Sequence, residues 1–254
     1  MKTMDDIDEK IFNFAYELAL RDATIRTVFR GTTIYVLLAK DNPDTKYKAT
    51  DDDKNKAERA KTAVKDYIDK IFDTELNTKD EHDKSFTKAA KKVIDAFEGY
   101  RDNDSSFSFG NAQKLINMTA KYMFMATYDR PELRDNFKCC HCPMDSIMVE
   151  HVISKIGGKD GITFKEINDE LDEINDGAIE KRPGQKGWKG YLRKSWSTLE
   201  LTDKEGFPGQ YVMFQKIISI LAEKENCSPI AYDFFVWGEK NSASESQDGN
   251  ASES

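Results

Sequence analysis

The sequence predicts an all-α protein built around one apolar helix that runs from about Phe109 to Tyr128. Three observations predict this fold. Apolar residues recur at helical spacing along most of the chain, the alternation typical of strands is not convincing anywhere, and the segment 109–128 is the most apolar of the helical stretches. We therefore expect a multi-helix globular domain packed around that segment.

Four helices are predicted before the central one. Their apolar faces cover residues 5–20, 24–38, 54–72 and 85–97. Gly99 is a stop signal for the fourth of them. Residues 41–52 are polar and predicted to form a loop. The short β-branched run Ile34–Leu38 is also compatible with a strand.

Further helices are predicted after the central one. Arg130-Pro131 ends the central helix, and Pro143 is placed at the first position of the next, which ends at Gly157. A helix over 163–174 starts with the capping box of Thr163 and Glu166. Helices near 188–200, 209–225 and 229–237 complete the predicted set.

Composition indicates one helical domain over residues 1–240, with 1–100 and 101–240 as its candidate sub-lobes. Residues 241–254 are rich in Ser, Glu, Asn and Gly, and we expect them to form a disordered acidic tail. No apolar run reaches the ~18–20 residues needed to span a bilayer. The start of the chain lacks the apolar core of a signal peptide. We expect a cytoplasmic protein with no membrane partner.

The formal net charge of −8 argues mildly against a nucleic-acid partner. The acidic residues are unevenly spread, however, with runs between Asp41 and Asp83 and more after Trp237. A local basic face is compatible with this uneven distribution of charge. Net charge alone therefore does not exclude a nucleic-acid partner.

The central helix carries a polar stripe. Lys114, Asn117 and Lys121 recur at spacings of three and four residues and therefore share one face. Gly110, at the start of the helix, permits the close approach of another backbone, such as a phosphate strand. The alternative interpretation is a core helix with one solvated stripe.

A second polar feature is the run Pro143-Met144-Asp145. A carboxylate in the first turn of a helix is stabilised by the helix dipole. Asp145 is therefore well placed to present an ionised carboxylate to a pocket. It is equally compatible with a simple acidic residue at a helix start.

Together these two segments resemble the helix-hairpin-helix DNA glycosylase superfamily, and most of all its archaeal 8-oxoguanine glycosylase branch. In that superfamily a catalytic Lys follows a Gly-containing hairpin, and a catalytic Asp follows a Pro at the start of the next helix. Gln113-Lys114 after Phe109-Gly110, and Asp145 after Pro143, match this pattern. The usual Gly-x-Gly hairpin is replaced by Phe-Gly-Asn-Ala.

The resemblance implies a base-excision glycosylase/lyase of DNA repair that needs no cofactor. Lys114 would attack the sugar C1′ and form a Schiff base, and Asp145 would stabilise the positive charge on the sugar. A flipped base would be held by stacking. The implied stacking candidates are Phe109, Tyr122 and Trp237, and the implied nucleic-acid contacts on the central helix are Gly110, Asn111, Gln113 and Lys121.

The segment 181–196 is the strongest basic signal in the chain. It contains six cations and no acid, interleaved with aromatic residues and glycines: Lys181, Arg182, Lys186, Lys189, Arg193 and Lys194. This mixture suits phosphate contact and base stacking. The alternative is a solvated face that neutralises the acidic stretch 169–176.

Cys139 and Cys142 form a Cys-x-x-Cys pair with His141 between them and His151 downstream. Zinc would require further well-spaced ligands, and the sequence contains no second Cys-x-x-Cys pair. We therefore expect reduced thiols beside the Asp145 helix and no metal site.

Two other functions remain open from sequence. The chain is also compatible with a non-catalytic helical module that binds DNA or RNA through the segment 181–196. It is equally compatible with a bacterial defence or regulatory interaction protein whose acidic segments form the functional surface. The sequence indicates no oligomeric state.

Overall fold

The computed structural model describes residues 6–24, 51–76, 78–98, 101–102, 105–157, 162–163, 165–167, 169, 190–202 and 209–248. Over these ranges the protein is all-α, as predicted. Its α-helices are α1 (Asp6–Thr24), α2 (Asp51–Phe72), α3 (Lys79–Ala96), α4 (Phe109–Ala126), α5 (Pro131–Arg134), α6 (Ser146–Lys155), α7 (Gln210–Lys224) and α8 (Pro229–Asp248). Short 3₁₀ helices cover Asp135–Phe137 and Trp196–Thr198. Two short segments, β1 (Arg101–Asp102) and β2 (Ser105–Ser106), pair antiparallel.

The chain divides into two compact units. The N-terminal unit contains residues 1–144 and 196–199, and the C-terminal unit contains 145–195 and 200–254. The division falls at residue 144, whereas composition suggested one domain with a sub-lobe boundary at residue 100. The central helix α4 packs against α1 and α3, which lie before residue 100. Helices on both sides of residue 100 therefore share one core.

Helix α4 is the centre of the N-terminal unit. A capping box starts it, because the Ser108 hydroxyl accepts a hydrogen bond from Asn111 N while Asn111 Oδ1 accepts one from Ser108 N. Every residue from Gly110 to Ala120 is buried. The helix packs against α1, α2, α3 and the 3₁₀ helix 196–198. The prediction of a central apolar helix is confirmed, although the helix ends at Ala126 rather than near Tyr128.

Helices α2 and α3 both begin earlier than apolar periodicity predicts. α2 begins at Asp51, inside the predicted loop, where two acidic residues complement the helix dipole and Lys54 pairs with Asp51 at 2.9 Å. α3 begins at Lys79 because Thr78 and Glu81 form a capping box. Since caps and charges carry no apolar signal, periodicity alone misses these first turns.

In the C-terminal unit, Asp145 is the N-cap of α6. Its Oδ1 accepts a hydrogen bond from Met148 N at 2.9 Å. The helix therefore begins at Ser146, and Pro143 is not at the first helical position as predicted. A side chain that satisfies a free N–H group of the first turn fixes the start more firmly than a proline does. α6 packs against α7 and α8.

The predicted start of the helix over 163–174 is confirmed by its cap. Glu166 Oε2 accepts hydrogen bonds from Thr163 N and from the Thr163 hydroxyl, both at 2.7 Å. Thr163 Oγ1 in turn accepts one from Glu166 N at 3.2 Å. Residues 165–167 and 169 are helical, and the rest of the predicted helix lies outside the described residues.

The last helix differs from its prediction. α8 continues to Asp248, although disorder was predicted from Asn241. Between Gly238 and Gly249 the chain contains neither Pro nor Gly, so no residue there interrupts a helix. A polar composition alone was therefore a poor guide to where this helix ends.

Some predictions fall outside the described residues. These are the helix 24–38 beyond Thr24, the Ile34–Leu38 strand and the whole of 181–189. None of the helices in the described ranges combines the length and apolarity that crossing a bilayer would require.

Candidate functional site

The predicted nucleophile Lys114 lies in the interior of the N-terminal unit. Only 5% of its surface is exposed, and its Nζ lies 4.5 Å from the centroid of the Trp196 ring. Trp196 is itself buried, in the 3₁₀ helix 196–198. An ammonium group over an indole face is a favourable cation–π arrangement. Lys114 therefore occupies a largely dehydrated aromatic environment.

The polar stripe of the central helix is not a solvated stripe. Asn117 is fully buried, and its Nδ2 donates to Gln113 Oε1 at 3.2 Å and to the Cys142 carbonyl at 3.5 Å. Lys121 is half-buried, so it alone of the three retains partial contact with solvent. This part of the stripe is a buried row of polar side chains, which we call the polar seam. Its amides, those of Gln113 and Asn117, are hydrogen-bonded inside the core.

Gln113 connects this seam to the chain just before Asp145. Its Nε2 donates to the Met144 carbonyl at 3.0 Å, and its Oε1 accepts from Met144 N at 3.2 Å. Both residues are fully buried. One side-chain amide thus satisfies both backbone groups of Met144, the residue that precedes Asp145 in sequence. We call this pair of hydrogen bonds the Gln113–Met144 clamp.

Gly110 is packed against protein backbone. A Cβ atom at this position would lie 2.4 Å from the Trp196 carbonyl oxygen and 2.6 Å from the Ser197 carbonyl group. Asn111 is also buried, and its Nδ2 donates to the Ala23 carbonyl at 3.2 Å. Another backbone does approach Gly110 closely, as predicted. It is the protein's own segment 196–197, whereas a nucleic-acid phosphate strand was expected. The side chains of Asn111 and Gln113 are likewise engaged within the protein.

The predicted catalytic carboxylate, Asp145, is half-buried at the start of α6 in the C-terminal unit. Its Oδ1 accepts the capping hydrogen bond from Met148 N. Among the described residues, no hydrogen-bond donor reaches Oδ2. Asp145 therefore has the helix-start role that was the alternative interpretation of this residue.

The predicted stacking residues lie in different surroundings. Phe109 is half-buried and packs edge-on against Phe86, with ring centroids 6.3 Å apart. The Tyr122 hydroxyl donates to Asp22 Oδ2 at 2.7 Å. Trp237 is half-buried on α8. The described contacts do not bring these three rings together.

Little of the basic segment is described. Lys181, Arg182, Lys186 and Lys189 lie outside the described residues. Arg193 and Lys194 are exposed, and Lys194 Nζ lies 3.8 Å from Glu200 Oε2. Their exposure is compatible with the predicted contact to a nucleic acid.

A cluster of side chains that the sequence did not predict lies elsewhere in the N-terminal unit. His82 and Asp83, on α3, meet His141, which follows the 3₁₀ helix 135–137. His141 Nε2 lies 2.8 Å from Asp83 Oδ1, and His82 Nδ1 lies 3.5 Å from the same oxygen. One potential ligand atom from each residue lies within 4.8 Å of the others. We call this the His82–Asp83–His141 cluster.

Both imidazoles of this cluster are buried, and burial lowers the pKa of His82 and lowers that of His141 to about 4. Burial acts in the opposite direction on Asp83. Hydrogen bonds with His141 and His82 outweigh it, however, and hold the pKa of this carboxyl below its usual range. The cluster is therefore an ionised carboxylate between two neutral imidazoles at neutral pH.

The four cysteines all lie within the described residues and form no disulfide. Cys140 and Cys142 are buried, and burial raises the pKa of the Cys140 thiol. Within the C-terminal unit, His151 Nε2 and the Tyr232 hydroxyl form a hydrogen bond of 2.9 Å.

Three residues of the candidate sites were not predicted from the sequence. Trp196 was grouped with the basic segment, although it lies against Lys114. His82 and Asp83 lie before the helix predicted at 85–97, but the Thr78-x-x-Glu81 capping box is legible in the sequence and would have placed them in the first turns of α3.

Comparison with known proteins finds no family model, no curated protein and no solved structure that matches this chain.

Proposed function

We propose that this protein is a nucleic-acid-acting base-excision glycosylase/lyase that uses Lys114 as its nucleophile and Asp145 as its helix-start carboxylate. The observation that carries the proposal is the burial of Lys114 over the Trp196 ring. Lysines that form Schiff bases are characteristically held in desolvated, apolar surroundings. A lysine kept only for solubility would have no reason to be placed there.

The Gln113–Met144 clamp lies beside both proposed groups in sequence. Two buried hydrogen bonds join the residue before Lys114 to the residue before Asp145. Oδ1 of Asp145 accepts the capping hydrogen bond from Met148 N.

The proposed reaction follows from these two groups. Lys114 reacts as its neutral amine: Nζ bonds to C1′ of the target nucleotide as the bond between C1′ and the base breaks, and the base leaves with the bonding electron pair and takes up the proton that Nζ loses. The positive charge that develops on the sugar is stabilised by the Asp145 carboxylate. The nitrogen lone pair then expels the ring oxygen O4′, which takes up a proton from water, and the opened sugar is held as a Schiff base between Lys114 and C1′. The proposed substrate is DNA in the cytoplasm that carries a damaged or modified base.

Borohydride trapping tests this proposal. The protein is incubated with duplex DNA that contains 8-oxoguanine or an abasic site, borohydride is added, and covalent complexes are counted on a denaturing gel. We expect a complex with the wild type and with Lys91→Gln, which changes an exposed lysine of α3 outside the proposed site, and none with Lys114→Met, whose apolar chain still packs on Trp196. Failure of the wild type to trap either DNA would overturn the proposal. Salt-sensitive binding without trapping would favour the non-catalytic module.

A further inference from the structure

The His82–Asp83–His141 cluster lies outside the proposed catalytic groups and has the composition of a metal site. It offers two imidazole nitrogens and one carboxylate oxygen. This is a common ligand set of first-row transition metals, and zinc sites with three protein ligands leave a fourth position for water or substrate. Hard cations such as Mg²⁺ and Ca²⁺ prefer oxygen ligands only.

The spacing of the ligand atoms fits a single ion. Two ligand atoms bound tetrahedrally at about 2.1 Å lie about 3.4 Å apart. His82 Nδ1 lies 3.5 Å from Asp83 Oδ1, which already matches this spacing. His141 Nε2 lies 2.8 Å from the same oxygen. All three ligand atoms lie within 4.8 Å of one another, so side chains must adjust before one ion contacts all of them.

The surroundings hold the two imidazoles in place. The Tyr67 hydroxyl is hydrogen-bonded to His82 Nε2, which leaves Nδ1 directed at Asp83. The rings of His82 and His141 pack edge-on with centroids 4.9 Å apart, and His141 packs edge-on against Phe86 at 4.7 Å. Metal-binding histidines typically have such a partner on the second ring nitrogen, because it fixes ring orientation.

The cluster is open on one side. Both histidines are buried, but 43% of the Asp83 side chain is exposed. Lys79 lies on this side, with Nζ 3.4 Å from Asp83 Oδ1. The ammonium group of Lys79 thus pairs with the oxygen that would bind an ion. An incoming cation would have to displace it.

We propose that His82, Asp83 and His141 bind one divalent transition-metal ion of the zinc class, with the remaining coordination position facing solvent. Tyr67 is a positioning residue for His82. Lys79 is a competing cation. This inference is independent of the proposed glycosylase activity.

The test is a metal titration of the full chain after chelator treatment, with Zn²⁺ in competition with a chromogenic chelator. We expect one ion per chain. His141→Gln and Asp83→Asn should abolish this binding. Tyr67→Phe should weaken it by roughly 10–100-fold, the usual effect of losing such a partner. His151→Gln, a histidine outside the cluster, should bind as the wild type does.

Lys79→Met provides a gain of function that does not depend on the folding of the other variants. Because it removes the competing ammonium group, it should bind Zn²⁺ more tightly than the wild type. The spectrum of the Co²⁺-loaded protein should lack thiolate charge-transfer bands. Absence of stoichiometric binding, binding that survives loss of His141, a thiolate spectrum, or unchanged affinity in Lys79→Met would each overturn the proposal.

Discussion

Gln113 and Met144 are 31 residues apart in sequence and are joined by two buried hydrogen bonds. The side-chain amide of Gln113 satisfies both the N–H and the carbonyl group of Met144. The clamp joins the central helix α4 to Met144. This residue ends the segment 1–144 of the N-terminal unit. The clamp therefore fixes the Met144 backbone against α4.

Replacing Gln113 by Leu should destabilise the protein. The change leaves two buried backbone groups of Met144 without their partner, and a buried polar group left unsatisfied costs about 1–3 kcal/mol. Urea unfolding monitored by circular dichroism measures the loss. The control is Asn136→Ala, which removes a single 3.4 Å hydrogen bond to the Phe72 carbonyl from a half-buried side chain. If both variants lost the same small amount, the clamp would not be a major stabilising contact.

Gly110 should not tolerate a side chain. The Cβ of alanine would lie 2.4 Å from the Trp196 carbonyl oxygen, and a backbone segment cannot rotate away as a flexible side chain can. We expect Gly110→Ala to lower the free energy of unfolding by about 1–3 kcal/mol, as overpacking does. Thermal unfolding measures the change.

The matched control for that substitution is Gly238→Ala. Gly238 lies within α8, and among the described residues no atom outside its own helix backbone and chain neighbours lies within 4 Å of a Cβ built there. Alanine is favoured over glycine in a helix by about 0.8–1 kcal/mol. The control should therefore stabilise the protein slightly, and equal behaviour of the two variants would contradict the described packing of α4 against 196–197.

The sequence predicted the part of this structure that depends on local signals. The central helix was readable from its apolar residues, and the Thr163–Glu166 capping box was readable from the two residue types alone. These features lie within a few residues of one another, so local propensity determines them.

The contacts that define the candidate sites depend on distant residues. Asp83 and His141 are 58 residues apart, and Lys114 and Trp196 are further apart still. Only packing of α3, α4 and the 3₁₀ helix 196–198 in one unit brings such pairs together. The chain also places amides inside the core, so the alternative interpretation of a solvated stripe on α4 is wrong for Asn117, which is fully buried.

The cap of the helix that begins after Thr163 should make stability depend on pH. Hydrogen bonds from the Thr163 backbone and hydroxyl, and the ion pair with Lys224 at 3.0 Å, lower the pKa of Glu166 from 4.5 to about 2. A folded-state pKa below the unfolded value means that the unfolded chain binds the proton first. The stabilisation is therefore full above about pH 4.5 and is lost as the pH falls towards 2.

This dependence is measured as the difference in unfolding free energy between the wild type and Glu166→Gln across that pH range. The difference should be largest near neutral pH and shrink below pH 4.5. Glu223→Gln, a change of the same kind at an exposed position of α7, is the control. A difference that grew on acidification would contradict the assigned direction of the pKa shift.

The identity of the proposed nucleophile, the buried lysine of α4, is tested by peptide mapping. The complex trapped with borohydride on DNA that contains an abasic site is digested and analysed by mass spectrometry. We expect the sugar remnant to be attached to Lys114 Nζ. An adduct on Lys121, on a lysine of the basic segment, or on the N-terminal amine, with Lys114 unmodified, would contradict it.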